Sequence, residues 1–331
     1  MSMWGRCCAG ALILASGVGA GAKSVVPPAT QITTGDAEWF WPTWSPDGRE
    51  ILASAKQPGG DSEIKILRSD GGGLRTVGHG PTTDRHPRWV GNDLIAFDSD
   101  RHGKYDLFVV RADGSALSRL TSHAADDAAA FPSPDGRWIA YTSNRTGRWA
   151  LHIVRPDGSG ERQLADLPKH IYSPAWSADA KRIVFMTAAP NSDLYDVDVE
   201  SAAVRPFVAT DVSEGGVRWS PDGARLVYVR GDGPNRELMI IGADGTGSRR
   251  VDVPSGELSW LTWCPDNRRV VFTRTEAGNE DVYAVDVDDG RVARLTDHPS
   301  RDTSPSCGPG GRVVFGSARA PAMNLFVVPI P

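Results

Sequence analysis

The sequence predicts an all-β fold, a seven-bladed β-propeller of four-stranded antiparallel blades, from three observations. The turn motif Trp-Ser-Pro-Asp-Gly occurs at residues 44–48 and 219–223 and returns in weaker copies. Alternating apolar runs typical of strands follow each copy. A repeat of about 40–45 residues with this patterning indicates one propeller blade per repeat. Aligned on the turn, the chain has anchors at intervals of 45, 43, 44, 43, 44 and 43 residues: Trp44, Trp89, Pro132, Trp176, Trp219, Trp263 and Ser306.

Each repeat contains four predicted strands in the same order. The first strand runs into the anchor turn, where Pro presets φ and Gly takes the left-handed conformation that closes a hairpin. The second strand follows, as in residues 94–97, and a polar turn leads to a third strand, as in residues 106–110. An Asp-Gly turn, a strong hairpin signal, then leads to a short outer strand such as residues 119–121. No segment shows the sustained 3.6-residue periodicity that a helical solenoid requires.

The two ends of the chain are predicted to meet. The last repeat stops after its third strand, residues 324–328, and residues 31–33 match the outer-strand pattern ahead of the first repeat. We therefore predict that residues 30–34 complete the seventh blade, which removes a sheet edge that would otherwise invite aggregation.

The N-terminus is predicted to lie apart from the fold. Arg6 is the only charged residue before Lys23, an apolar stretch lies between them, and residues 20–22 read Ala-Gly-Ala. This pattern is typical of a secretory signal peptide with a small-residue cleavage site. We predict a signal peptide over 1–22, a linker over 23–29, a propeller over 30–331, and a periplasmic or secreted location.

Composition excludes some function classes. The formal net charge is −5 with no cluster of basic residues, so we expect no nucleic-acid partner. No internal apolar run is long enough to span a bilayer, and we expect a monomer.

Cys264 and Cys307 occupy equivalent places in adjacent repeats, where Cα atoms are often too far apart for a disulfide. They could bridge in an exported protein, but we expect two small buried residues instead.

The repeat as a whole resembles the TolB-type propeller repeat. The shared pattern is Arg-x-Leu-Thr, then Trp-Ser-Pro-Asp-Gly, then an apolar strand ending in Ser, then a strand that opens with Asp and ends in Asp-Gly. Such repeats build the C-terminal propeller of the periplasmic Tol–Pal protein TolB, and similar ones occur in prolyl-oligopeptidase-like enzymes. The resemblance covers about residues 30–331. It implies a TolB-like protein without the N-terminal α/β domain, and with seven anchors where the family has six blades.

No catalytic or cofactor motif is found in the sequence. It has no Gly-x-Ser-x-Gly elbow, no His-Glu-x-x-His, no paired Cys-x-x-Cys and no Gly-x-x-x-x-Gly-Lys phosphate loop. The histidines fall at matching positions of different blades, so they should lie too far apart for a zinc site. We therefore predict no catalytic residues, no metal site and no cofactor.

The candidate binding residues lie in the segments that lead from one blade to the next. These segments line one mouth of a propeller channel, and a carboxylate recurs there four to six positions before six of the seven anchors. Six acids on one rim would focus a negative potential that attracts a basic partner, and aromatic faces beside them suit a peptide or sugar. A structural role for each acid, tying loops together, is the alternative. The candidates are Glu38, Trp39, Trp41, Asp84, His86, Asp127, His170, Tyr172, Glu214, Glu257, Trp260 and Asp302.

The sequence thus predicts a non-catalytic, exported binding or scaffold protein. Its partner would be a protein or peptide, envelope proteins included, engaged at the channel-mouth rim as the TolB resemblance implies. The alternative is a propeller enzyme, a hydrolase or lyase acting on a carbohydrate or peptide at the channel mouth. A calcium-stabilised scaffold that uses the acidic rim is a third hypothesis. The anchor Trp side chains are expected to pack between blades.

Overall fold

The chain folds into seven antiparallel sheets of four strands each. The structure, a computed structural model, describes residues 26–78 and 80–331. The sheets in these ranges confirm the predicted fold class. The predicted signal peptide, residues 1–22, and the first three residues of the predicted linker lie outside the described residues.

Four blades come from the first part of the chain. Blade 1 consists of β2 (Glu38–Trp44), β3 (Glu50–Lys56), β4 (Ser62–Arg68) and β5 (Arg75–Thr76). Blade 2 consists of β6 (Asp84–Val90), β7 (Leu94–Ser99), β8 (Asp106–Arg111) and β9 (Ser118–Arg119). Blade 3 consists of β10 (Asp127–Pro132), β11 (Ile139–Ser143), β12 (Ala150–Val154) and β13 (Arg162–Ala165). Blade 4 consists of β14 (Ile171–Trp176), β15 (Arg182–Thr187), β16 (Leu194–Asp198) and β17 (Val204–Val208).

The remaining blades follow the same order, and the seventh takes one strand from the start of the chain. Blade 5 consists of β18 (Glu214–Trp219), β19 (Arg225–Arg230), β20 (Glu237–Gly242) and β21 (Arg249–Val251). Blade 6 consists of β22 (Glu257–Trp263), β23 (Arg269–Glu276), β24 (Asn279–Asp286) and β25 (Val292–Arg294). Blade 7 consists of β26 (Asp302–Gly308), β27 (Arg312–Ser317), β28 (Asn324–Pro329) and β1 (Thr30–Gln31), with a 3-10 turn at Pro309–Gly311. No helix in the described part of the chain is long and apolar enough to cross a membrane.

The seven blades close into a ring around a central channel. The first strand of each blade contacts the first strands of both neighbouring blades, including β2 of blade 1 against β26 of blade 7. The ring is completed by β1, which pairs antiparallel with β28 through Thr30 opposite Val327 and Gln31 opposite Phe326. The prediction that the N-terminal strand completes the last blade is therefore confirmed.

The apolar core is divided into seven clusters, one between each pair of adjacent blades. The cluster between blades 7 and 1, for example, joins Ile32, Trp44 and Ile51 to Val314 and Leu325. The other six clusters have the same arrangement, with residues drawn from both neighbouring sheets. This follows from the strand pattern, because both faces of each blade are covered by a neighbour and both carry apolar side chains.

The anchor turn is held by a hydrogen-bonded Ser and Asp. Ser45 Oγ donates to Asp47 Oδ1 at 2.7 Å and accepts the Glu50 amide N–H at 2.9 Å. Gly48 has a φ of 69°, and its N–H donates to the Ser45 carbonyl at 2.8 Å. The Ser45 hydroxyl lowers the pKa of Asp47. The same Ser–Asp hydrogen bond occurs in the turns of blades 3, 4 and 5, so the motif is a structural feature of the repeat.

Three anchor Trp side chains pack between blades, as predicted. Trp44, Trp176 and Trp263 are each 6–7% exposed. Each indole N–H donates to a backbone carbonyl in the first strand of the preceding blade, at 3.1, 2.8 and 3.1 Å respectively. Trp89 and Trp219 are half-buried, and their indole nitrogens are buried without a hydrogen-bond partner in the part of the chain that the structure describes.

The expectation for the two cysteines is wrong, because Cys264 and Cys307 form a disulfide between blades 6 and 7. Their Cα atoms lie 5.0 Å apart, within the range that a disulfide requires. First strands of neighbouring blades converge on the channel, so equivalent positions near their ends come closer than the blade repeat suggests. Blade 7 also has Gly308 where the anchor turn would continue, and a Cβ atom there would lie 2.5 Å from the Trp44 ring.

Candidate ligand-binding site at the channel mouth

A ring of seven bulge residues, one per blade, lies in the first strands around the channel. At each bulge the register of the first strand against the second strand shifts. Bulges re-aim side chains, and the bulge residues of blades 1, 4, 5, 6 and 7 line two cavities at the channel. The bulge residues have φ values of 50–63° and are Trp41, His86, Ala129, Ser173, Gly216, Trp260 and Ser304.

The bulge ring is large on one side and small on the other. Trp260, Trp41 and His86 belong to blades 6, 1 and 2, with Ser304 of blade 7 between the two Trp residues, whereas blades 3, 4 and 5 contribute only Ala, Ser and Gly. A left-handed backbone costs about 1–2 kcal/mol for a residue with a Cβ atom and little for glycine. Two Trp residues in this conformation therefore carry a conformational cost that Gly216 avoids. Strain of this kind concentrates at binding sites.

The large side of the ring is held by a tilted contact between two aromatic rings and by a buried carboxylate. The Trp41 and His86 rings lie 4.3 Å apart between centroids. His86 Nδ1 is 3.0 Å from Asp98 Oδ1, and Arg85 Nε donates to the other oxygen of Asp98 at 2.5 Å. Asp98 is fully buried. Trp41 is thereby fixed against a neighbouring blade.

Two cavities open from this ring. The central cavity has a volume of about 180 Å³ and lies between Trp41, Trp260, Ser304 and two arginines, Arg88 and Arg218. The second cavity has a volume of about 370 Å³ and lies over blades 4 to 6. It is lined by residues that include Ser173, Glu214, Gly216, Arg236 and Trp260. Trp260 is shared by both cavities and is 39% exposed.

Three of the predicted rim acids are buried and bound to an arginine of their own blade. Asp84 is 1% exposed and accepts hydrogen bonds of 3.0 Å from Arg101 Nη2, while Ser99 Oγ accepts the Arg101 Nε–H at 2.9 Å. Burial raises the pKa of Asp84, and the hydrogen bonds from Ser99 and Arg101 oppose that effect. The same arrangement recurs as Asp127–Arg145 and Asp302–Arg319.

These ion pairs tie the start of each first strand to the turn after the second strand. The arrangement fits the structural interpretation of the three acids, and their contact with a partner stays a prediction. Their charges are balanced within the protein, so the six recurring carboxylates do not act as one uniform ring of negative charge.

Glu214 has a different environment from the paired acids. Its Oε1 accepts a hydrogen bond from Thr210 Oγ1 at 2.5 Å, but Oε2 is buried and has no hydrogen-bond partner among the described residues. Burial raises the pKa of Glu214, and the negative charge of Asp193 acts in the same direction. Glu214 lines the larger cavity, where Arg236 Nε is likewise buried without a partner. The wall of the larger cavity thus contains two buried polar atoms, Glu214 Oε2 and Arg236 Nε, that lack a hydrogen-bond partner among the described residues.

The other predicted residues fall into exposed and buried sets. Glu38, Glu257 and Tyr172 are exposed at the mouth, with Tyr172 at 37%. His170 is half-buried, and its Nδ1 accepts the backbone N–H of Trp149 at 3.0 Å. Trp39 is 3% exposed in the core between blades 7 and 1, so its side chain does not form part of the mouth surface.

Comparison with known proteins identifies the repeat. The family model described as TolB beta propeller domain matches residues 29–265. The chain belongs to this family.

Relatives share limited parts of this TolB-family chain. An uncharacterised protein of Agrobacterium fabrum (strain C58) is 31% identical over 105 residues, which are 29% of this chain and 33% of that protein. The Tol-Pal system protein TolB of Anaeromyxobacter dehalogenans (strain 2CP-C) is 30% identical over 82 residues, which are 24% of this chain and 19% of that protein. The chain thus covers a third or less of each relative.

Solved structures resemble the whole propeller. An oligogalacturonate lyase in complex with manganese superimposes with a TM-score of 0.77 at 14% identity, covering 93% of this chain and 96% of that one. At this identity the likeness concerns the fold alone. In the described part of the present chain, no group of three or more His, Cys, Asp or Glu is placed to hold a metal ion.

Sequence reasoning missed the two channel arginines. Arg88 and Arg218 each stand one position before an anchor Trp, where the other blades have Thr, Phe, Ala, Thr and Pro. A column-by-column comparison of the repeats would have singled them out as charges at an otherwise uncharged position. The search for recurring residues favoured the acids instead, because those recur in nearly every blade.

Proposed function

We propose that this TolB-family propeller is an exported binding protein that engages a protein or peptide partner at the channel mouth. The observation that carries the proposal is the exposed side chain of Trp260 in the wall of a cavity of about 370 Å³, with exposed Tyr172 preceding the lining residue Ser173. Large aromatic side chains that remain accessible beside a cavity are typical anchors of protein interfaces. Residues of both blades 4 and 6 thus face one opening.

The charge around this opening supports a partner with mixed polarity. Glu38 and Glu257 are exposed at the mouth, and Glu257 lies 3.7 Å from Arg236. Exposed charges at an interface rim mainly affect association rate and specificity. We therefore assign the binding energy to the aromatic residues and the steering of the partner to the acids.

The family supports the kind of partner. Relatives in this family carry the name Tol-Pal system protein TolB, and the sequence predicts export by a signal peptide. A periplasmic or secreted location, with an envelope protein as partner, is consistent with both. The propeller would act without catalysis, as a rigid platform for the bound segment.

The test is a cross-linking pull-down from periplasmic extract with purified variants. Tyr172→Ala combined with Trp260→Ala should lose the partners that the wild type captures. The matched control is Leu74→Ala combined with Leu117→Ala, since these side chains are also large and exposed, at 53% and 44%. The control should keep the wild-type partner set. An identical partner set for all three proteins would refute the proposed rim.

An enzyme is a second candidate function, favoured by one observation. Burial raises the pKa of Glu214, which lies in the wall of an open cavity, and a carboxyl group with a raised pKa is better suited to act as a general acid. The fold likeness to an oligogalacturonate lyase makes an oligosaccharide a reasonable substrate class to screen, together with peptides. Product formed by the wild type and not by Glu214→Gln would support this function, while no product from either class would remove it.

A further inference from the structure

Two arginines face the channel without an acidic partner. Arg88 and Arg218 both line the central cavity, from blades 2 and 5. Within residues 26–78 and 80–331, no carboxylate oxygen lies within 4.0 Å of either guanidinium. Each guanidinium instead donates a hydrogen bond to the carbonyl of the preceding residue: Arg88 Nη1 to Pro87 at 3.0 Å and Arg218 Nη1 to Val217 at 2.7 Å. A neutral carbonyl does not balance the charge of an arginine as a carboxylate does.

The contrast with other enclosed arginines of this chain is clear. Arg101, Arg145 and Arg319 each bind an aspartate that is 0–1% exposed. A guanidinium has five N–H donors and keeps its charge at any physiological pH. A charge removed from bulk water is costly unless it is paired. Arg88 and Arg218 therefore have N–H donors available for a ligand, and their two positive charges are not paired with a carboxylate of the described residues.

The two charges also act on each other. Burial lowers the pKa of Arg218 to about 10, and the nearby charge of Arg88 contributes to that change. Burial lowers the pKa of Arg88 as well, and the charge of Asp98 only partly opposes it. Asp98 already binds Arg85 and His86. An anion between the two arginines would relieve both effects.

The walls of the cavity suit a small molecule with a ring or carbon frame. Trp41 and Trp260 provide aromatic surface, while Ser304 and Ser306 provide hydroxyl groups. The volume of about 180 Å³ compares with an engineered protein cavity of about 150 Å³ that holds benzene. A molecule of about six to thirteen non-hydrogen atoms, up to one sugar ring with a carboxylate, is of the right size.

We infer that the channel between Arg88 and Arg218 binds a small molecule that carries a carboxylate or phosphate group, with its carbon frame against Trp41 and Trp260. Arginine recognises both oxyanions through paired N–H donors. This site shares Trp260 with the proposed partner rim, but it does not need Tyr172 or the rest of the larger cavity.

The experiment measures binding by calorimetry in a buffer free of phosphate and carboxylates. The probes are D-glucuronate, D-glucose and inorganic phosphate. The first two share a sugar ring and differ in the charged group, while phosphate carries the charge alone. The wild type should bind at least one anion ten times more tightly than glucose. A preference for glucuronate assigns a carboxylate ligand, and a preference for phosphate assigns a phosphate ligand.

Two variants, Arg88→Met and Arg218→Met, test the residues, and Arg137→Met is the control because its side chain is 82% exposed. Each channel variant should weaken anion binding at least tenfold, and the control should bind as the wild type does. Without ligand, Arg218→Met should melt at or above the wild-type temperature, because a repelled charge is removed. Added anion should raise the melting temperature of the wild type and of the Arg137→Met control, but not that of either channel variant.

Two results would overturn the inference. One is wild-type protein that binds neither anion more tightly than glucose, a measurement that does not depend on any variant folding. The other is a folded Arg88→Met or Arg218→Met protein with unchanged anion affinity. Loss of partners from a single Tyr172→Ala variant, with anion binding intact, would separate this site from the proposed function.

Discussion

Ring closure depends on one buried hydroxyl, that of Thr33. Thr33 is 5% exposed and follows β1, the strand that completes blade 7. Its Oγ1 donates to Asn324 Oδ1 at 2.9 Å and accepts the Leu325 N–H at 2.8 Å. Ile32 adds a backbone hydrogen bond from its N–H to the Leu325 carbonyl at 2.9 Å. Thr33→Val keeps the shape of the side chain and removes only the hydroxyl.

The expected cost follows from the two groups that Thr33→Val leaves unpaired. A buried polar group without a hydrogen bond costs about 1–3 kcal/mol, so two such groups cost about 2–6 kcal/mol. In a domain of this size about 1 kcal/mol lowers the melting temperature by about 2 °C. We therefore expect a decrease of about 4–12 °C. Thr33→Ser keeps the hydroxyl and loses one methyl group, worth about 1 kcal/mol, and is the matched control.

Differential scanning calorimetry of the three proteins measures this difference directly. A propeller closed by β1 should unfold in one transition, with the Val variant well below the Ser variant. Equal melting temperatures for Thr33→Val and Thr33→Ser would refute the reasoning, because the hydroxyl would then carry no closing energy.

Three further predictions concern single contacts. The Trp263 indole N–H donates to a carbonyl of the preceding blade, and that of Trp219 has no acceptor among the described residues. Trp263→Phe should therefore lower the free energy of unfolding in urea by about 1–2 kcal/mol more than Trp219→Phe does. Equal losses would contradict a stabilising role of the Trp263 hydrogen bond. Since the pKa of Glu214 is raised in the folded state, folded protein holds that proton more tightly, and stability falls as pH rises from about 4 through the raised pKa. Glu214→Gln should flatten this pH dependence of the unfolding free energy. An unchanged slope would show that a different titratable group causes the pH dependence. The Cys264–Cys307 disulfide joins residues 43 positions apart. Its reduction should lower the free energy of unfolding by about 4 kcal/mol, because the unfolded chain then regains the entropy of that loop. A loss of stability below about 1 kcal/mol under reductant would argue against the bond.

Function at the mouth is the part that sequence patterns described least well. The recurring acids were the strongest signal in the inter-blade segments, yet Asp84, Asp127 and Asp302 are paired with arginines inside the blades. Those arginines lie about 17 residues further along the chain. A pairing at that separation depends on how the second strand returns to the first, which the spacing of the acids alone does not reveal.

The sequence by itself determined the blade count, the strand order, the anchor turn and the closing strand, because each depends on local chemistry. Turn residues and alternating apolar positions act over a few neighbouring residues, and the 43–45-residue period repeats them seven times. The tertiary structure alone decided which side chains reach the channel. That choice depends on a left-handed bulge in each first strand and on packing between blades, which brought Cys264 to Cys307 and left Arg88 and Arg218 facing one cavity. Contacts between blades join residues far apart in the chain, so their partners are set by the closed ring.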